Sequence, residues 1–83
     1  MTGKVLYKAS VSHDLKKISS KDRERVLQLI AEVLGEDPRG GEPLRGEFAG
    51  LFKLGVGDYR IIYALAGSDA LVLRIRHRGK AYE

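Results

Sequence analysis

The spacing of apolar positions changes period along the chain, and the change separates a helical first half from a stranded second half. Lys4-Val5-Leu6-Tyr7-Lys8 is β-branched and aromatic and predicts a short strand. Val11, Leu15 and Ile18 then fall at i, i+4 and i+7, which is one face of a short helix. Ser19 followed by Asp22 has capping-box spacing, a hydroxyl at the N-cap and an acid three residues on, so a longer helix is expected to begin there. Its predicted stripe is Val26, Leu29, Ile30 and Val33, widened by Leu27 and Leu34, with Gly35 as the stop. The run 36–43 contains Pro38 and Pro43, which lack amide donors, and reads as a connecting loop.

From Leu51 the period becomes two. Gly57-Asp58 fits a two-residue hairpin loop, pairing Val56 with Tyr59, Leu54 with Ile61 and Phe52 with Tyr63, all on one apolar face. For the next turn, a three-residue loop Gly67-Ser68-Asp69 pairs Leu65 with Leu71, Tyr63 with Leu73 and Ile61 with Ile75. A two-residue Gly67-Ser68 loop would send Leu71, Leu73 and Ile75 to the polar face, so the longer loop is the prediction. The expected fold is α+β: a short N-terminal strand and a helical hairpin packed on one face of a small, mainly antiparallel sheet, in a single domain over residues 1–83.

Composition narrows the chemistry. A chain of 83 residues buries about 60% of its unfolded surface, which disfavours a second domain or a deep enclosed site. There is no Cys, and only His13 and His77, so thiolate catalysis, disulfides and a dedicated metal centre are poorly supplied; neither metal nor cofactor is expected. Residues 1–8 show no apolar signal segment, and the longest uncharged stretch, 61–68, is far short of the roughly 20 residues of a membrane span. No membrane association and a cytoplasmic location are therefore expected.

Charge singles out the second half. The net charge is +4, and residues 51–83 hold 6 Lys or Arg against 3 acids, with Arg74, Arg76, Arg78 and Lys80 close together and no acid among them. The predicted register puts Arg74, Arg76 and Arg78 on the face of Lys53 and Arg60, with Arg60 opposite Arg76, so the sheet is expected to have one helix-covered face and one cationic open face. Phosphate, nucleic acid and an acidic protein all suit such a surface. Metal-free cleavage of an RNA phosphodiester needs a base for the 2′-hydroxyl, cations for the phosphorane and an acid for the 5′-oxygen. Lys53, Arg60 and Arg78 are the candidate cations, and Tyr82 is a candidate proton shuttle or base-stacking ring. His77 carries the side-chain type that titrates nearest neutrality, but it falls at the end of the apolar face, where a partly packed edge histidine is the competing reading.

The strings Leu44-Arg45-Gly46, Gly57-Asp58-Tyr59-Arg60-Ile61-Ile62-Tyr63 and Ile75-Arg76-His77-Arg78-Gly79-Lys80-Ala81-Tyr82 resemble the RelE/ParE toxin superfamily, and the resemblance covers essentially the whole chain. It implies the RelE-like fold and a toxin of a type II toxin–antitoxin system. RelE-like members are ribosome-dependent endoribonucleases that cut mRNA in the A site, with the 2′-hydroxyl as nucleophile and no metal; ParE-like members share the fold and inhibit DNA gyrase. Carried over by residue, the resemblance makes Lys53 the phosphate-contacting lysine, Arg60 and Arg78 the arginines at the transition state, and Tyr82 the C-terminal tyrosine. His77, next to Arg78, is a second candidate proton carrier, and the basic residues Arg45, Arg74, Arg76 and Lys80 are candidate RNA contacts. The chain departs from RelE at Gly55, where RelE has a second lysine, which leaves the general base open. The implied partners are the ribosome, mRNA and a cognate antitoxin, an acidic segment that folds as a helix across the apolar and basic surface. The alternatives are a ParE-like gyrase inhibitor and a catalytically inactive homologue acting as a binding module.

Overall fold

Strand β1 (Val5–Tyr7) pairs in parallel with β5 (Asp69–His77), so the first and last described strands lie side by side. The computed structural model describes residues 4–77. Between these strands come α1 (Ala9–Lys16), α2 (Ser20–Glu36), the two-residue β2 (Glu42–Pro43), a 3-10 turn (Gly46–Phe48), β3 (Leu51–Val56) and β4 (Tyr59–Ala66). The sheet order is β1-β5-β4-β3-β2, and every neighbouring pair other than β1–β5 is antiparallel. Two helices on one face of a mainly antiparallel sheet is the α+β architecture that the periodicity predicts.

The helices owe their positions to different causes. The Ser19 hydroxyl accepts from the Asp22 N–H at 3.3 Å, so α2 begins at its expected cap. Helix α1 has no side-chain cap at Lys8 and only 8 residues. An isolated helix of that length is unstable, and α1 is fixed by its contacts with β5. Its buried row includes Val11, and Ser10 Oγ donates to Leu73 O at 2.8 Å.

Helix α2 departs from expectation at two points. It runs through Gly35 to Glu36, and the Asp37 N–H still reaches Val33 O at 3.0 Å. Gly35 has no positive φ, the conformation by which glycine ends helices; Asp37 turns extended instead and Pro38 prevents continuation. The buried row is Val26, Ile30 and Leu34, at i, i+4 and i+8, so Leu34 belongs to the core while Val33 is exposed.

The segment 36–43, expected as a loop, contains strand β2 (Glu42–Pro43). Glu42 pairs with Lys53 and Pro43 with Phe52, at a sheet edge where a missing amide donor costs no ladder bond. Gly41 approaches β4 so closely that a Cβ there would lie 2.6 Å from the Tyr63 hydroxyl. That hydroxyl accepts from the Gly41 N–H at 2.8 Å, which satisfies the polar end of a fully buried ring.

The β3–β4 hairpin has the predicted register, and Gly57 takes a φ of 59° at the first turn position. The β4–β5 hairpin corrects the prediction. Its turn is the two-residue Gly67-Ser68, with Ala66 opposite Asp69, Leu65 opposite Ala70 and Tyr63 opposite Val72. A register shift at Leu73 then restores Ile61 opposite Ile75. Ala70, Val72 and Ile75 consequently face the helices, and Leu71 and Leu73 take the uncovered side. That outcome is tolerable because both leucines are half-buried.

Among the described residues eleven hydrophobic side chains form the buried core: four from the helices, Ile18 from the turn between them, and six from β3, β4 and β5. All lie between the helices and one face of the sheet. The opposite face is left open.

Candidate functional site

Alternate residues of β3, β4 and β5 make the open face, and it divides into two halves. Leu6, Leu71, Ala64 and Leu51 align across the strands in one apolar row, fixed by the register of β1 on β5, β5 on β4 and β4 on β3. Further along the strands stand Lys53, Arg60 and Arg76, with Arg60 opposite both Gly55 and Arg76. A groove of about 560 Å³ joins the halves, with Leu44, Phe48, Ile62 and Leu73 on its apolar side and these three cations with Arg74 on the other. Phe48 is 54% exposed, so the apolar side meets solvent.

Arginines opposite one another across a ladder repel. Burial of an anion between them relieves that repulsion, which is the electrostatic basis for reading this surface as an anion site. Lys53 Nζ lies 3.6 Å from Glu42 Oε2, a half-exposed contact worth little that a phosphate can replace. Beside it, a second groove of about 300 Å³ runs along Gly40, Gly41, Lys53, Gly55 and Arg60. A Cβ at Gly55 would meet nothing within 4 Å, so this stretch of the surface is open space.

Arg74 differs from the other cations in having a buried carboxylate as partner. Its Nε and NH2 groups donate to Asp14 Oδ2 and Oδ1 at 2.9 and 3.0 Å, and Asp14 Oδ2 also accepts from the Ile75 N–H at 3.0 Å. β1 pairs with β5 only as far as Val72, so α1 supplies the hydrogen bonds that a neighbouring strand would otherwise make. Burial on its own raises the Asp14 pKa, but the Arg74 and Ile75 hydrogen bonds, with the charges of Arg74 and Arg76, outweigh it and hold the carboxyl below its ordinary value. The same Asp14 hydrogen bond holds the Arg74 guanidinium above its ordinary value, against partial burial. Asp14 went unnoticed in the sequence, although its place at i+3 after Val11 and i−4 before Ile18 puts an acid within the apolar stripe.

The candidate residues are only partly gathered. Lys53, Arg60 and Arg76 share the cationic half, and Arg74 borders it while bound to Asp14. Arg45 is exposed at the entrance to the 3-10 turn, where its carbonyl accepts from the Phe48 N–H. His77 stands opposite Tyr59 on the helix side, with ring centroids 5.4 Å apart and the planes nearly perpendicular, away from Lys53 and Arg60. Burial, reinforced by Asp22 and Asp58, raises the Tyr59 pKa. Arg78, Lys80 and Tyr82 lie outside the described residues. Among the described residues no three His, Asp or Glu side chains are placed to hold a metal, and no helix is long and apolar enough to cross a membrane.

Similarity to known proteins agrees with this geometry. A family model described as the ParE toxin of the type II toxin–antitoxin system parDE matches residues 5–82. Toxin RelG of Mycobacterium tuberculosis is 31% identical over 81 residues, covering 94% of this chain and 93% of that protein. The crystal structure of the toxin–antitoxin complex RelBE2 from M. tuberculosis contains a chain that superposes with a TM-score of 0.87 at 28% identity, covering 94% of this chain and 100% of that one. The fold also matches that of the RelB–RelE antitoxin–toxin complex from Methanococcus jannaschii, with a TM-score of 0.72 at 22% identity over 93% of this chain and 94% of that one. The chain belongs to the RelE/ParE superfamily of type II toxin–antitoxin toxins.

Proposed function

We propose that this toxin is a ribosome-dependent endoribonuclease that cleaves mRNA in the A site. The observation that carries the reading is the group Lys53, Arg60 and Arg76 on a sheet face with no helix over it. The bond changes need no co-reactant beyond the RNA itself. The RNA 2′-oxygen bonds to phosphorus, the bond from phosphorus to the 5′-oxygen breaks, the 2′-hydroxyl proton passes to a base, and an acid protonates the leaving oxygen. A 2′,3′-cyclic phosphate and a free 5′-hydroxyl result. Lys53 orients the phosphate, Arg60 and Arg78 stabilise the charge that develops on its oxygens, and Tyr82 moves the proton. His77 is left out of that step because it lies on the opposite face from Arg60.

The protein is expected to work with a cognate antitoxin, as the toxins of the RelBE2 and RelB–RelE complexes do. The open face suits an acidic segment folded as a helix, its apolar side on the Leu6–Leu51 row and its carboxylates on Lys53, Arg60 and Arg76. Such binding weakens with added salt; salt-independent affinity would exclude this placement.

A second reading, gyrase inhibition of the ParE kind, is favoured by the ParE family match and by the absence of a side chain at Gly55. A cell-free translation reaction on a defined mRNA, with 5′ ends mapped by primer extension, separates the two. Cuts within codons that require ribosomes and disappear in Arg60→Ala/Arg78→Ala support the nuclease. Intact mRNA together with inhibited supercoiling would replace it by the gyrase reading.

A further inference from the structure

A cleft of about 350 Å³ lies on the helix side of β5, lined by Asp14, Lys17, Ile18, Tyr59, Arg74, Ile75, Arg76 and His77. It occupies the space beside β5 beyond Val72, where β1 no longer pairs. Lys17, Arg74 and Arg76 bring three positive charges to it, and the one acid in the lining is only 5% exposed and bound to Arg74 and the Ile75 N–H. Asp14 thus fixes the Arg74 guanidinium at the mouth while leaving a positive excess. Lys17 and Arg76 are in no ion pair among the described residues. Part of the lining is apolar and aromatic, made by Ile18 and by the edge-to-face pair of Tyr59 and His77. The Tyr59 hydroxyl contacts Asp22 at 3.5 Å, which ties that part to the first turn of α2.

Arg74 and Arg76 border both this cleft and the open-face groove. The positive surface therefore continues from Lys53 and Arg60, over the edge of β5, to Lys17. An isolated acidic side chain does not need such continuity, whereas a chain of phosphates does.

We propose that the cleft is a second subsite for single-stranded RNA. It holds a phosphate flanking the cleavage position, on Lys17 and Arg76, and seats the attached nucleoside against Tyr59 and His77. This inference rests on the nuclease reading for its ligand but not for its test. It gives His77 a binding role away from the reacting bond.

The test is fluorescence anisotropy with 2′-O-methyl oligoribonucleotides, which cannot be cleaved, of about 4 and about 12 nucleotides over a range of salt. Lys17 and His77 are exposed, so Lys17→Ala/His77→Ala is expected to fold. The double variant should bind the long strand about tenfold more weakly and lose about 0.7 from its salt slope, the value of one phosphate contact on a single strand. It should bind the short strand as the wild type does, whereas Arg60→Ala weakens both. An equal loss on both lengths, an unchanged affinity for the long strand, or a wild type that binds neither overturns the subsite. A loss confined to an acidic peptide would assign the cleft to a protein partner instead. Loss of the subsite with ribosomal cleavage intact leaves the nuclease reading standing.

Discussion

Ile61 and Ile62 are neighbours in β4 with the same side chain, and they belong to different environments. Ile61 is completely buried under the helices, while Ile62 lies half-exposed in the groove with Arg60 and Arg74. The alternation of a strand turns one residue into structure and the next into surface. The covered face is apolar along its whole length, apart from the tethered Tyr63 hydroxyl and the polar end at Tyr59 and His77. The open face joins an apolar row to a row of like charges, of which Arg60 and Arg76 stand opposite one another across the ladder. Stability is thus concentrated on the covered side of the sheet, and the groove proposed for the reaction lies on the other.

Truncation of Ile61 should have the largest effect on the fold. Ile61→Ala is expected to cost about 2–5 kcal/mol in urea unfolding, and Ile62→Ala only about 1 kcal/mol. Equal losses would remove the distinction between the faces. Asp14→Asn comes next, at about 1–3 kcal/mol, because Arg74 loses an ionised partner and the buried Ile75 N–H keeps only a weaker acceptor. The folded-state pKa of Asp14 is depressed, so its contribution is complete above the unfolded carboxyl pKa of about 3.9 and is lost as pH falls through the lower folded value. The wild type should therefore lose stability in acid more steeply than Asp14→Asn, and parallel pH profiles would contradict that assignment.

Smaller effects sharpen the account of the open face. Gly55→Lys places a cation opposite Arg60 in open space, restoring the position at which the chain departs from RelE. Several-fold faster cleavage with little change in stability is expected, and slower cleavage would show that added charge there obstructs the substrate. Val33 is exposed on α2, distant in character from either row, and Val33→Ser should change stability by less than about 0.5 kcal/mol.

The parts of the fold that the sequence revealed are those in which a local signal and the long-range packing agree. Gly57-Asp58 supplies both a turn residue and a matching alternation, so all of β3–β4 was legible, as was the Ser19 cap. The shift at Leu73 was not, because Val72 and Leu73 are both apolar and an inserted residue leaves no break in the pattern. Gly35 misled because glycine ends a helix only in the left-handed conformation, which it does not take here. β2 was hidden in a Glu-Pro pair that forms a strand solely through its neighbour. Of the site, the facing of Arg60 and Arg76 followed from register, and the place of His77 at the end of the covered face followed as well. The capture of Arg74 by Asp14 depends on α1 docking beside β5, which strand periodicity does not encode.

The central claim is that the cationic half of the open face acts on RNA without supporting the fold. Arg60→Ala tests it when one preparation is measured for both ribosome-dependent cleavage and urea unfolding. The account predicts a loss of cleavage of about 100-fold or more, with unfolding free energy within about 0.5 kcal/mol of the wild type. Retained cleavage, or a loss of activity matched by a loss of stability, would contradict it.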